Sequence, residues 1–172
     1  MTDLSPLSAK PYSSPRIYLH WISAVIILWA TFSGFGVALM AKDDAFRQWV
    51  ESVNPQITSV FIPFFAWRVW LAMTAASKRS KTLQEHLAST AHIAIYILVS
   101  SVLVTGVLMM AHPVNMLGLF QLPQLVHSAT ALGELHEVHH VLCAILAGLV
   151  AVHLLAVVQH QIRGRSVLGR MR

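Results

Sequence analysis

Four of the chain's ten histidines fall in one apolar stretch, His139-His140-Val-Leu-Cys-Ala-Ile-Leu-Ala-Gly-Leu-Val-Ala-Val-His153-Leu-Leu-Ala-Val-Val-Gln-His160. An imidazole nitrogen can hydrogen-bond a carbonyl, carry a proton or ligate a metal. At 100° per residue, the steps from His139 to His153 return to within about 40° of one face while advancing about 21 Å. Two imidazoles thus share a face near opposite ends of a membrane-length helix. An ionisable ring facing lipid is expensive, so such positions face a bundle interior and have a partner there. Haem iron is the partner that makes best use of the imidazole nitrogen.

The rest of the chain must build that bundle. Of 172 residues 56% are hydrophobic and 11% charged, against about 25% charged in soluble domains, so this is an integral membrane protein. The net charge of +5 could suggest nucleic acid, but the Lys and Arg residues cluster beside apolar segments, which fits topology and excludes a nucleic-acid patch. The single cysteine, Cys143, lies inside an apolar stretch and reads as a packing residue. No Cys-x-x-Cys-His occurs, so any haem is held without thioether bonds.

Four spans are expected, at residues 17–41, 56–76, 87–111 and 137–161. Residues 1–16 read as a disordered cytosolic lead-in, and 162–172 as a basic cytosolic tail. Lys42 to Pro55 is expected to be a short external link. His112-Pro113 should break the third helix and begin a long apolar external loop with a short interfacial piece. Placing both termini in the cytoplasm puts Lys10, Arg16, the Arg68 to Lys81 group and the four C-terminal arginines inside, and leaves Lys42 and Arg47 outside. The fold class is therefore all-α, a four-helix transmembrane bundle with both termini cytoplasmic.

Orientation gives each histidine a depth. His20, His92 and His153 all fall near the cytoplasmic ends of their spans and can converge there. Two suffice to clamp one iron, and the third can hydrogen-bond a propionate or serve as the alternative ligand. Arg68, inside the second span, would be compensated by a haem propionate. At the outer end His139 is well placed, but its partner is open: His136 and His140 share its helix, whereas His112 or His127 could approach from the loop. A buried histidine bonding a neighbouring carbonyl is the competing reading for each. The tryptophans and Met109 and Met110 read as belt or packing residues.

The sequence resembles the bacterial cytochrome b561 family, which includes superoxide:ubiquinone oxidoreductases. The resemblance rests on Leu19-His20-Trp21, on His92-Ile-Ala-Ile-Tyr96 with Gly106-Val-Leu-Met-Met110, and on Leu117-Gly-Leu-Phe-Gln-Leu-Pro123. It is strongest in the spacing of His139, His153 and His160 and in the basic tail Arg163-Gly-Arg-Ser-Val-Leu-Gly-Arg-Met171. It implies one haem b near each membrane face, with His20 and His153 ligating the inner one, His92 close by and His139 one ligand of the outer one. It also implies that the second outer ligand stands fourteen residues before Arg68, where this chain has Asn54, a poor ligand for iron, so one or two haems remain open.

Three functions follow as expectations. The first is single-electron transfer between an external donor, with superoxide as one candidate, and the ubiquinone pool, with His160 and Arg163 near the quinone. The second is a haem-bearing anchor subunit for a periplasmic redox partner. The third, a transporter or assembly factor, is disfavoured because no acid lies inside an expected span beyond Glu137 at the very start of the fourth. The bacterial inner membrane is the expected location, and a homodimer is left open.

Overall fold

In hydrocarbon every backbone N–H and C=O must be paired within the chain, so an apolar sequence of this length resolves into helices. The computed structural model describes residues 14–74 and 83–163. Helices α1 (Ser14–Ala38), α2 (Ala45–Thr74), α3 (Leu83–Leu108) and α4 (Ala129–Ile162) are long and apolar enough to cross a membrane. Between α3 and α4 lie two short antiparallel strands, β1 (Val114–Met116) and β2 (Phe120–Leu122).

The side-chain contacts give the topology. Arg16 reaches Leu71, His20 reaches Arg68 and Trp29 reaches Asn54, so α1 and α2 run antiparallel. His92 meets His153 and Thr105 meets His139, so α3 and α4 do the same. One end of the bundle therefore carries the start of α1 and the end of α4 (the terminal end), and the other carries β1 and β2 (the loop end). Packing is tightest within the pairs α1/α2 and α3/α4 and thinner between α2 and α3. A mid-bundle core of Phe61, Phe65, Ile95, Val99 and Leu146 joins the pairs, flanked by Ile26 and Ile27 of α1.

Several boundaries differ from the sequence expectation. Asp44 accepts hydrogen bonds at Oδ1 from the Phe46 and Arg47 amides (2.8 and 3.1 Å), capping α2. Most of the expected link from Lys42 to Pro55 is thus helical, and α2 runs through both Pro55 and Pro63. Ser128 caps α4, which begins at Ala129 rather than near residue 137. At about 1.5 Å per residue the 34 residues of α4 measure about 51 Å, well beyond a hydrocarbon core of about 30 Å. α1 already includes Ser14 to Arg16, the end of the expected lead-in. The rest of that lead-in, the basic loop of Lys78, Arg79 and Lys81, and the tail beyond Arg163 lie outside the described residues.

The loop between α3 and α4 carries a short β-hairpin, which its sequence did not announce. Its tip places Leu117 and Gly118 at φ 54° and 76°, and the Leu117 amide donates to Gln56 Oε1 of α2 at 3.3 Å. Near this end Asn54 Oδ1 accepts from Trp29 Nε1 (3.0 Å) and Ser33 Oγ (3.2 Å), fastening α2 to α1. Hydrogen bonds between membrane helices contribute about 0.6 kcal/mol each on average. Asn54→Leu, which loses both, is expected to destabilise the protein by about 1 kcal/mol, read as a lower unfolding midpoint in detergent.

Candidate functional site

The side chains with chemical capacity gather at the terminal end, where all four helices contribute. From α1, Arg16 and His20 are one turn apart on the same face. Arg16 donates from Nη2 to the Leu71 carbonyl at 3.3 Å, while its buried Nε has no acceptor among the described residues. Arg68 of α2 donates from Nη2 to His20 Nδ1 at 3.0 Å, and its guanidinium carbon lies 5.3 Å from the Tyr96 ring centroid. On α3, His92 Nδ1 bonds the Ala88 carbonyl at 2.7 Å. Its ring meets that of His153 on α4 edge-to-face, with centroids 5.3 Å apart. His20 lies within electrostatic reach of both.

The bonding fixes which nitrogens are free. A carbonyl only accepts, so His92 carries its proton on Nδ1 and keeps its Nε2 lone pair for a metal. A guanidinium only donates, so His20 accepts at Nδ1 in this arrangement and holds its proton on Nε2. Among the described residues the one ion pair is Arg47 with Glu51 at 2.8 Å, so no carboxylate answers Arg16 or Arg68. Two guanidiniums and three imidazoles converge here, an arrangement suited to an anionic ligand with a nitrogen-seeking metal.

His139 has different surroundings. Thr105 Oγ1 already donates to the Ser101 and Val102 carbonyls (2.8 and 3.2 Å), so at 2.9 Å it accepts from His139 Nδ1. His139 Nε2 faces Cys143 Sγ of its own helix at 3.5 Å. The ring lies on Gly106, where an added Cβ would stand 3.3 Å from His139 Cε1. His136 and His140 pair with each other, ring centroids 4.3 Å apart. His112 lines a cavity of about 320 Å³ between the loop ends of α2 and α3, and His127 lies exposed just before α4.

The structure thus brings His20, His92, His153 and Arg68 together and leaves His139 apart. His160 is seven residues beyond His153, almost on the same face and about 10 Å nearer the terminal end, and Arg163 caps α4. Arg16 and Tyr96 join the cluster although sequence reasoning gave them no role there. Arg16 stood out only as a topological charge, though its spacing of four from His20 was a usable signal. Nothing local marked Thr105, Gly106 or Cys143 as the surroundings of His139.

Since the His139 ring is held at both nitrogens, it cannot yield freely to a larger neighbour. Gly106→Val is expected to destabilise the α3/α4 pair by about 1–3 kcal/mol through overpacking, measured as a lower unfolding midpoint.

No curated protein matches the chain. Residues 11–172 match the family described as prokaryotic cytochrome b561. With four membrane-length helices and imidazoles from three of them gathered at one end, the chain belongs to that family of multi-pass membrane b-type cytochromes, which bind haem b and transfer electrons.

Proposed function

We propose that the protein exchanges single electrons with the ubiquinone pool beside the terminal-end cluster, and that this end faces the cytoplasm. The observation that carries the reading is the meeting of His20, His92 and His153 around Arg16 and Arg68, with no acid paired to either arginine among the described residues. The donor set fits haem b: imidazoles can ligate iron, and the unpartnered Nε of Arg16 and the charge of Arg68 suit two propionates. When bound, haem b supplies a reversible one-electron iron couple.

The chain's own residues do the rest. His92 presents Nε2 because Ala88 holds its Nδ1 proton. For His20 to ligate through Nε2, its proton must move to Nδ1, and Arg68 must turn to another acceptor, which a carboxylate provides. Arg68 is thus a positioning residue for His20 as well as an anion holder. Phe65 packs against Tyr96 with ring centroids 6.0 Å apart, bordering the cluster with aromatic surface toward the core. His160, half-buried below His153, is placed to hold the proton that a quinone oxygen takes up on reduction, and Arg163 stands beside it at the helix end.

Orientation rests on charge. Arg16, Arg68 and Arg163 lie at the terminal end, while Asp43, Asp44, Glu51, Glu134 and Glu137 lie toward the loop end. With Arg47 already paired to Glu51, that face repels a small anion, so superoxide is the weaker candidate for the second redox partner.

Purified protein is expected to show a bound-haem spectrum that His153→Ala largely abolishes while helicity is kept. Arg68→Gln should retain haem but lower its midpoint potential by on the order of 60 mV, because a nearby cation favours the electron-richer reduced state. Ubiquinol should reduce the wild-type haem. Colourless protein would overturn the cytochrome reading, and haem inert to ubiquinol would overturn the quinone assignment.

A further inference from the structure

We propose that the protein carries a single haem, at the terminal end, and that the loop end, where a second haem is implied by the resemblance, is closed by two polar clamps. The inference rests on the haem reading above and adds how many irons the chain can hold.

A six-coordinate bis-imidazole iron needs two rings from separate elements facing one another with free nitrogens. The terminal end has three rings on three helices, of which His92 keeps its Nε2 lone pair and His20 gains one once Arg68 turns to another acceptor. At the level of His139 the neighbouring helices supply other groups: Thr105 and Gly106 from α3, Asn54 from α2, Trp29 and Ser33 from α1. Asn54 adds no imidazole, and its carbonyl oxygen already accepts two hydrogen bonds from α1. His139 itself is engaged on both sides of its ring. Its Nδ1 proton goes to Thr105, and the Nε2 lone pair that iron would require faces Cys143 on its own helix. To meet iron, that lone pair must first lose its contact with the Cys143 thiol.

The two clamps work alike. Asn54 bonds only within the α1/α2 pair and His139 only within α3/α4, whereas the terminal-end cluster spans both pairs. Polar groups at the loop end are therefore used up in joining neighbours, and those at the terminal end reach across the middle. His136 and His140 pair with each other on α4 and His127 lies exposed just before it, while His112 borders a cavity that reaches Gly106 from the α2 side. Electrons then enter and leave at one level of the membrane, close to the terminal end.

The test is the haem content of the full-length purified chain. A pyridine haemochrome assay should give about one haem per chain, with one low-spin ferric signal and one single-electron wave on redox titration. His139→Gln, which keeps hydrogen-bonding capacity without an imidazole, and Asn54→Ala should both leave that ratio and potential unchanged. His153→Ala should remove the haem. A ratio near two, or a ratio that falls by half in His139→Gln or His112→Ala, overturns the single-haem proposal while leaving the cytochrome reading intact. A ratio of zero in the wild type overturns both.

Discussion

A polar side chain within a bilayer must find its partner inside the protein, and in this bundle that requirement decides which helices touch. Lipid tails are as apolar as leucine, so hydrophobicity alone gives four such helices little reason to choose one neighbour over another. The choice comes from a few hydrogen bonds: Asn54 to Trp29 and Ser33, His139 to Thr105, Arg68 to His20. Each is modest in energy. Each would also leave an unpaired polar group in hydrocarbon if the helices separated, so specificity exceeds what the bond strengths suggest.

Packing and polarity then divide the work. The Phe61, Phe65, Ile95, Val99 and Leu146 core ties α2, α3 and α4 at mid-depth, and close packing there fixes the rotational setting of each helix. Rotation in turn determines where residues two or three turns away point. Phe65 is one turn from Arg68 and Ile95 is next to Tyr96 on their helices, so the core that sets those residues also sets the guanidinium over the Tyr96 ring. Geometry at the site is thus inherited from apolar packing, while the chemistry comes from the arginines and histidines.

Much of this was legible in the chain. Membrane spans announce themselves by length and apolarity, and the four-helix fold follows from them. The gathering of His20, His92, His153 and Arg68 followed from depth, because residues at matching distances from their helix ends must meet if the helices are antiparallel. Boundaries were less legible. Hydropathy marks where lipid contact stops, whereas a helix stops where its cap lies, and Asp44 and Ser128 carry α2 and α4 beyond the apolar stretch. The surroundings of His139 could not be read at all. Depth placed it at the loop end, but which way its ring turns depends on Gly106 leaving room on α3 and on Thr105 having spent its proton elsewhere.

Arg16 and Arg68 explain why the terminal end differs in kind from the loop end. Toward the loop end Asn54 is matched by Trp29 and Ser33, and His139 by Thr105, all of them neutral groups. At the terminal end two guanidiniums face neutral imidazoles, a Tyr96 ring and a backbone carbonyl, none of which cancels a full charge. Water can reach the terminal edge of α1 and lower that cost, but Arg68, level with His20, is nearly two turns deeper on the bundle face and gains less from it. An anionic group that supplies carboxylates to the arginines also relieves His20 of the bond that keeps its proton on Nε2. On the proposed haem reading, charge compensation and release of His20 coincide where the carboxylate takes the Nη2 proton that otherwise goes to His20. On that reading, the arginine that looks most out of place in the bilayer links seating of the anion to the bonding of the His20 imidazole.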